Sequence, residues 1–271
     1  AILGCAVCLS AFTACGGNSQ SLSAIKKSGK MVMYTNAAFP PFEYKDSAGV
    51  NGVAGVDVDI AKEIAKDIGV ELEIQDIEFT SALAAVQNGK GAVAIAGISV
   101  KPEREKVLDF SIPYVTSVQY IIVPKDAEVS TIEDLAGKAI GVQTGTTGDY
   151  IVSDEVNGSK DDEGNAVTGV LQDSGATVKG YTSAMNAAQD IQAGRLDAVV
   201  IDKMPAESIC NNNTELKCLE LVYADGTKTN EEYAIAVQKG NKELLEQVNK
   251  TIQRLIDEGK IDEYIINHTT K

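Results

Sequence analysis

The sequence predicts an α/β fold. Three observations carry that expectation: short apolar runs alternate with segments of helical spacing, glycines stand where the helices should stop, and the whole alternation is laid down twice. A strand–helix–strand order of this kind implies sheets whose connections cover both faces.

The elements follow in chain order. Residues 31–35 are an apolar run suited to a buried strand. Over 56–68, Ile60, Ala61, Ile64, Ala65 and Ile68 fall on one helical face; Asp57 can cap the start, and Gly69 marks the stop. Residues 71–77 alternate as a half-buried strand does, 80–88 form a helix ended by Gly89, and 92–96 form another strand. The second set opens with a strand over 119–123, broken off by Pro124. Ser130-Thr131-Ile132-Glu133 is a capping-box signature for a short helix that stops near Gly137. A strand over 139–142, a strand over 178–181, a helix over 183–193 ended by Gly194, and a strand over 197–201 complete the set. The last helix, 242–258, carries Leu245, Val248, Ile252, Leu255 and Ile256 on one face. Residues 153–173 are rich in Asp, Gly, Ser and Asn and form a solvated surface excursion, with a hairpin as one form open to it.

Composition narrows the function. Lys plus Arg total 24 against 39 Asp plus Glu, a net charge of −15 over 271 residues. Phosphate contacts need a basic face, so nucleic acid is excluded as a partner, and the body is disfavoured at an anionic membrane surface. No cofactor motif is present. The single His, His268, lies near the C-terminus, so neither a metal site nor a Ser–His or Cys–His nucleophile pair can be assembled.

Residues 1–14 are apolar to small and carry no charge, which fits the apolar core of a signal peptide whose basic start is missing. Thr13-Ala14-Cys15-Gly16-Gly17 then resembles a bacterial lipobox, with Cys15 as the lipidated residue and a flexible tether after it. Cys5, after Leu3-Gly4, is the rival position, and Phe12 departs from the usual Leu. Cys210 and Cys218 remain in the body. In an exported chain they are a candidate disulfide, with two free thiols as the alternative.

Four segments suggest a binding site. Asn36 to Tyr44 follows the first strand and holds two prolines and three aromatics; Phe39 can offer a ligand a flat wall or simply pack the loop. Gly97, Ser99 and Arg104 lie within eight residues of a strand end, and the planar Arg fork matches a carboxylate. Residues 143–149, Gln-Thr-Gly-Thr-Thr-Gly-Asp, join a strand to a helix start, where backbone N–H groups attract anions. The P-loop Lys is missing there. Asp202 ends an apolar strand, where its carboxylate needs a partner such as a ligand ammonium, or caps the next helix.

Taken together, Pro-Phe-Glu-Tyr, Gly-Val-Asp-Val-Asp-Ile at 55–60, Ala-Gly-Ile-Ser…Glu-Arg, Asp109-Phe110-Ser111…Pro113-Tyr114, Gly-Thr-Thr-Gly and Asp-Ala-Val-Val-Ile-Asp resemble the polar amino-acid binding proteins of ABC importers, over about residues 24–266. The resemblance implies a two-lobed periplasmic-binding-protein-like fold (type II) with two hinge strands, near 116–120 and 227–233. Residues 1–23 would be leader and tether, 24–117 plus 232–271 lobe 1, and 118–231 lobe 2. It implies an extracytoplasmic, lipid-anchored receptor, not an enzyme, that delivers a free L-amino acid to ABC importer permease subunits.

By the same resemblance Arg104 grips the α-carboxylate, helped by Thr147 and Gln143 from the other lobe. Gly97 and Ser99 touch the ligand, Asp202 takes the α-ammonium, and Phe39 and Phe79 flank the side chain. Asn36 stands where relatives that prefer basic ligands often carry an acid, and Ile201 is apolar where some place a polar contact. Both departures lean towards a neutral ligand. A lobed-fold enzyme such as a dehydratase, or a ligand-sensing module, is the alternative; acidic pairs such as Asp57 and Asp59 fit caps or solvated residues better than catalysts.

Overall fold

The computed structural model describes residues 20–161 and 163–269. The leader, with Cys5, Cys8 and Cys15, lies outside the described residues.

Two five-stranded sheets share one plan. In the first, the order is Glu71–Asp76, Lys30–Thr35, Val93–Ala94, Ala236–Gln238 and Leu108–Phe110. Its first three strands are parallel, and Ala236–Gln238 runs antiparallel to both its neighbours. In the second, the order is Thr177–Tyr181, Ala139–Gln143, Ala198–Asp202, Gln119–Pro124 and Leu216–Glu220. Again three strands are parallel and the fourth, Gln119–Pro124, is antiparallel to both neighbours. Each sheet thus has three parallel strands pointing their C-terminal ends one way, the place where open α/β sheets bind ligands.

The chain passes between the sheets twice, through Val115–Ser117 and Glu231–Tyr233, which pair antiparallel with Tyr233 opposite Val115. These are the two hinge strands; the second is shorter than 227–233 because residues 227–230 belong to the preceding loop. We propose the lobe boundaries at 117/118 and 231/232, around this pair.

Burial explains why these sequences take these elements. Helix Val56–Ile68 buries Val58, Ile60, Ala61, Ile64, Ala65 and Ile68 and ends on Gly69 at φ 82°, a left-handed stop that favours glycine. Asp57, expected as its cap, is not one. Gly55 holds the cap position, and the Asp57 side chain is fully buried elsewhere. The capping box is present one residue later than expected, Thr131 with Asp134, and opens a 3₁₀ turn at Ile132–Leu135. The face of Lys242–Asp257 is rotated from the expected one: Leu244, Val248, Thr251, Ile252 and Leu255 are buried and Ile256 is 41% exposed. Each fully buried aliphatic there contributes about 1.5–3 kcal/mol relative to exposure.

The expected surface excursion begins later than 153, because helix Thr147–Asn157 takes its first residues. A hairpin of Ser159–Lys160 with Ala166–Val167 forms the rest. Helices Leu22–Ser28 and Lys260–Thr269 were not foreseen. The latter docks through His268, whose ring nitrogens meet Tyr44 Oη at 2.8 Å and Asp59 Oδ2 at 2.9 Å. Among the described residues no helix is long and apolar enough to cross a membrane.

Candidate functional site: an interlobe cleft

Strand ends build the site. Lys30–Thr35 runs into Asn36, Val93–Ala94 runs into Gly97, Ala139–Gln143 ends on Gln143, and Ala198–Asp202 ends on Asp202. All nine residues expected to contact a ligand line one cleft of about 300 Å³ of atom-free space. Glu43, Ala96 and Thr146 line it as well.

Arg104, on the single helical turn Pro102–Glu105, is only 6% exposed. Its Nη1 donates to the Ser99 carbonyl at 2.7 Å, its Nη2 donates to the Gly145 carbonyl at 2.9 Å, and its guanidinium lies 5.3 Å from the centre of the Phe79 ring. The Ser99 carbonyl and the Phe79 ring orient the fork from its own side of the cleft, and the Gly145 carbonyl holds it from the other. Gly97 has φ 53°, and a Cβ there would stand 2.5 Å from Phe39 Cε1. Only glycine lets the Phe39 ring lie on the backbone at this point. The Gly97 N–H donates to Asp57 Oδ2 at 2.9 Å, and Tyr114 Oη donates to Asp57 Oδ1 at 2.8 Å. Buried Asp57 therefore holds the wall of the cleft. Burial pushes its carboxyl up to about 6, against the pull of those hydrogen bonds.

The two lobes meet across the cleft. Gln143 Nε2 donates to Asn36 Oδ1 at 2.9 Å, while Asn36 Nδ2 donates to the Ile77 carbonyl at 2.9 Å. Thr147 Oγ1 donates to Ser99 Oγ at 3.1 Å. Asp202 stands at the N-cap position of Lys203–Asn211, yet its side chain makes no cap hydrogen bond. It accepts Tyr233 Oη at 2.6 Å instead. Burial, and then the nearby Glu231 charge, hold its carboxyl well above the usual carboxylate range.

Glu43 is the lining residue that the loop motif contained without assigning. It is fully buried against the Asp57 carboxyl, close enough for the two to share a hydrogen bond. Burial first, and then the neighbouring Asp57 charge, hold it well above the ordinary range. The carbonyl oxygen of the Gln143 side chain is buried and unpartnered. Such groups are costly unless something polar meets them. Ile201 belongs to the apolar core and does not line the cleft. Cys210 and Cys218 are free, half-buried thiols close enough to hydrogen-bond each other. Among the described residues no group of His, Cys, Asp and Glu could hold a metal ion.

The model of the bacterial extracellular solute-binding proteins, family 3, matches residues 31–269. The chain belongs to that family. This family 3 chain is 30% identical over 258 residues to the arginine-binding extracellular protein ArtP of Bacillus subtilis, covering 95% of this chain and 92% of ArtP. It is 26% identical to the L-cystine-binding protein TcyJ of Escherichia coli, over 89% of this chain and 82% of TcyJ. Its structure matches that of the amino acid ABC transporter substrate-binding protein AbpA of Streptococcus pneumoniae, bound to L-arginine, with a TM-score of 0.80 and 35% identity, covering 92% of this chain and 98% of AbpA. The family and these relatives are solute-binding proteins, not enzymes, and the mixed α/β architecture is the two-lobed periplasmic-binding-protein fold.

Proposed function

We propose that the cleft binds a free L-amino acid and that the closed protein presents it to the permease subunits of an ABC importer. The observation that carries this reading is the pairing of buried Arg104 with buried Asp202 in one cleft. A zwitterion loses much hydration on burial, so both its charges need fixed opposite partners. Arg104 and the main chain at Thr147, the first residue of helix Thr147–Asn157, suit the α-carboxylate, Asp202 suits the α-ammonium, and Phe39 and Phe79 supply apolar walls. Because these groups come from both lobes, the ligand stabilises closure through differential affinity.

The side chain is the finer question. The expectation of a neutral ligand rested on Asn36 and Ile201 and counted no carboxylate for a cationic head. Glu43 is such a carboxylate, buried in the cleft lining beside Asp57. It favours a guanidinium or ammonium head, and the relatives named for arginine support L-arginine as the first probe. The neutral reading keeps one observation of its own: burial holds Glu43 towards its uncharged form, which suits a neutral amide as a hydrogen-bond partner. Competition calorimetry with arginine, lysine, glutamine, cystine and leucine separates the two. Arginine binding tightest, and losing most in Glu43→Gln, is the expected result. Glutamine or leucine binding tightest overturns it, and no binding by any amino acid overturns the receptor reading.

The tether reading places a lipid on Cys15, anchoring the protein to the outer face of the bacterial cell membrane. Mass spectrometry of protein from its native host should find a mature chain beginning at diacylated Cys15. A mature start elsewhere, Cys5 included, rejects it.

A further inference from the structure

Ser99 is tied to the hinge by main chain. It forms an antiparallel bridge with Tyr233, the Val100 N–H donates to the Glu232 carbonyl at 3.1 Å, and the Ala234 N–H donates to the Ile98 carbonyl at 2.9 Å. On that frame Ser99 Oγ donates to Glu231 Oε2 at 2.5 Å. The other Glu231 oxygen accepts Gln119 Nε2 at 2.5 Å, and Gln119 lies directly opposite Asp202 in the second sheet. Glu231 is therefore a hinge carboxylate that touches Ser99 on one side of the cleft and both Gln119 and the Asp202 carboxyl on the other. It does not itself line the cleft.

A hydroxyl has one proton and two lone pairs. With its proton committed to Glu231, Ser99 Oγ turns only lone pairs towards the cleft, where Thr147 Oγ1 already donates to it. Such an oxygen repels a carboxylate and accepts from an ammonium. We propose that Glu231 is a positioning residue for amino-acid binding: it fixes Ser99 as an acceptor for the ligand α-ammonium and places a second negative charge behind Asp202.

The proposal rests on the amino-acid reading of the cleft and adds to it the source of its selectivity for an α-amino group. An ammonium carries three donors, and Asp202 supplies only part of what they need. Ser99 supplies a further acceptor, and Glu231 strengthens both through a short charge-assisted hydrogen bond and its field. Glu231 also raises the carboxyl of Asp202, the direction that an incoming ammonium reverses. A ligand without the ammonium gains nothing from Glu231. That separates a positioning role from a merely structural one, in which every ligand would lose alike.

The experiment is a cycle on the full chain, with L-arginine and L-glutamine each compared with its desamino analogue, by calorimetry or competition. Glu231→Gln keeps the size and an acceptor but removes the charge. The amino acid should lose at least about tenfold in affinity and the desamino analogue less than about threefold, in line with a hydrogen bond to a charged group. In a Ser99→Ala background, Glu231→Gln should cost the amino acid much less than in wild type, because the two residues act in series. Ser99→Ala alone should show the same bias against the ammonium, and it decides the matter if Glu231→Gln does not fold. Equal losses for both probes, no loss, or full additivity with Ser99→Ala overturns the Glu231 proposal while the receptor reading stands. Failure of wild type to bind either amino acid overturns that reading, and this proposal with it.

Discussion

Arg104 Nη2 donates to the Gly145 carbonyl at 2.9 Å, so a guanidinium of the first lobe is held by the main chain of the second. Gly145 has φ 77°, and a Cβ there would stand 2.5 Å from Thr80 Cγ2. The close approach that turns this carbonyl to Arg104 therefore depends on glycine. The same cation has two jobs: it bridges the lobes, and it waits for the ligand carboxylate.

Removing it should be severe. Arg104→Ala leaves a buried carboxylate unpaired, at a cost of about 3–5 kcal/mol, or at least about a hundredfold in affinity. Arg104→Lys should recover little, because an ammonium cannot reach two carbonyls and stack on Phe79 at once. Calorimetry on both variants, with circular dichroism as the control for folding, checks this. Near-wild-type affinity in either variant removes Arg104 from the site.

Gly97→Ala should damage both fold and binding. The new Cβ meets Phe39 Cε1 at 2.5 Å, and φ 53° is a left-handed conformation that costs alanine about 1–2 kcal/mol. Phe39 must then leave the wall that it forms against Gly97. Thermal unfolding should show a loss of about 1–3 kcal/mol, and ligand affinity should fall with it. An unchanged unfolding midpoint would mean that the Phe39 loop yields freely.

The residues of the cleft differ in how openly the sequence announces them. Gly97, Ser99 and Arg104 sit within eight residues of a strand end, a weak pattern by itself that the resemblance to amino-acid binding proteins turns into a site. Asn36 and Gln143 enter through the same resemblance, and Asp202 through its place at the end of an apolar strand as well. Asp57 was misassigned because an acid at a helix start ordinarily caps it. Its burial against Gly97 and Tyr114 depends on contacts 40 and 57 residues away. Glu231 gave no local signal at all. It lies in the polar stretch Thr229-Asn230-Glu231-Glu232, and only the pairing of the hinge strand with Ser99 makes it part of the site. Local periodicity records elements and strand ends; it does not record which buried acids converge from distant segments.

Binding should weaken as the pH falls. In the cleft, burial holds Glu43 and Asp202 well above the usual carboxylate range, so each keeps its proton at a pH where a solvated carboxyl has lost it. A ligand cation favours the ionised form and lowers both values, so protons leave when it binds. Affinity is therefore full above the raised values and falls as the pH drops through them towards the ordinary carboxylate range, by up to about tenfold per pH unit for each proton released. Calorimetry in two buffers of different ionisation heat counts those protons directly. For L-arginine, Glu43→Gln should remove one part of the release and leave that due to Asp202. A heat independent of buffer, or affinity that rises with acid, contradicts the assignment.

The thiol pair gives the last prediction. Cys210 lies on helix Lys203–Asn211, which begins directly after Asp202, and Cys218 lies on strand Leu216–Glu220. Their contact couples the two thiols, so that one keeps its proton while the other is free to ionise. Exposure to a small disulfide such as oxidised glutathione should let the ionised thiol attack its sulfur. The other cysteine would then displace the bound thiol, leaving an intramolecular disulfide and two reduced glutathione molecules. The closed loop is short, so the gain is about 2–3 kcal/mol, seen as a higher unfolding midpoint that reductant reverses. Trypsin cuts after Lys217, between the two residues, so mass mapping without reductant should find the peptides carrying Cys210 and Cys218 held together. Cys218→Ser should abolish both the linked peptides and the shift. Oxidation that leaves the two peptides separate, or that lowers the midpoint, would show that the pair serves as packed thiols and that the helix behind Asp202 is held by its apolar contacts alone.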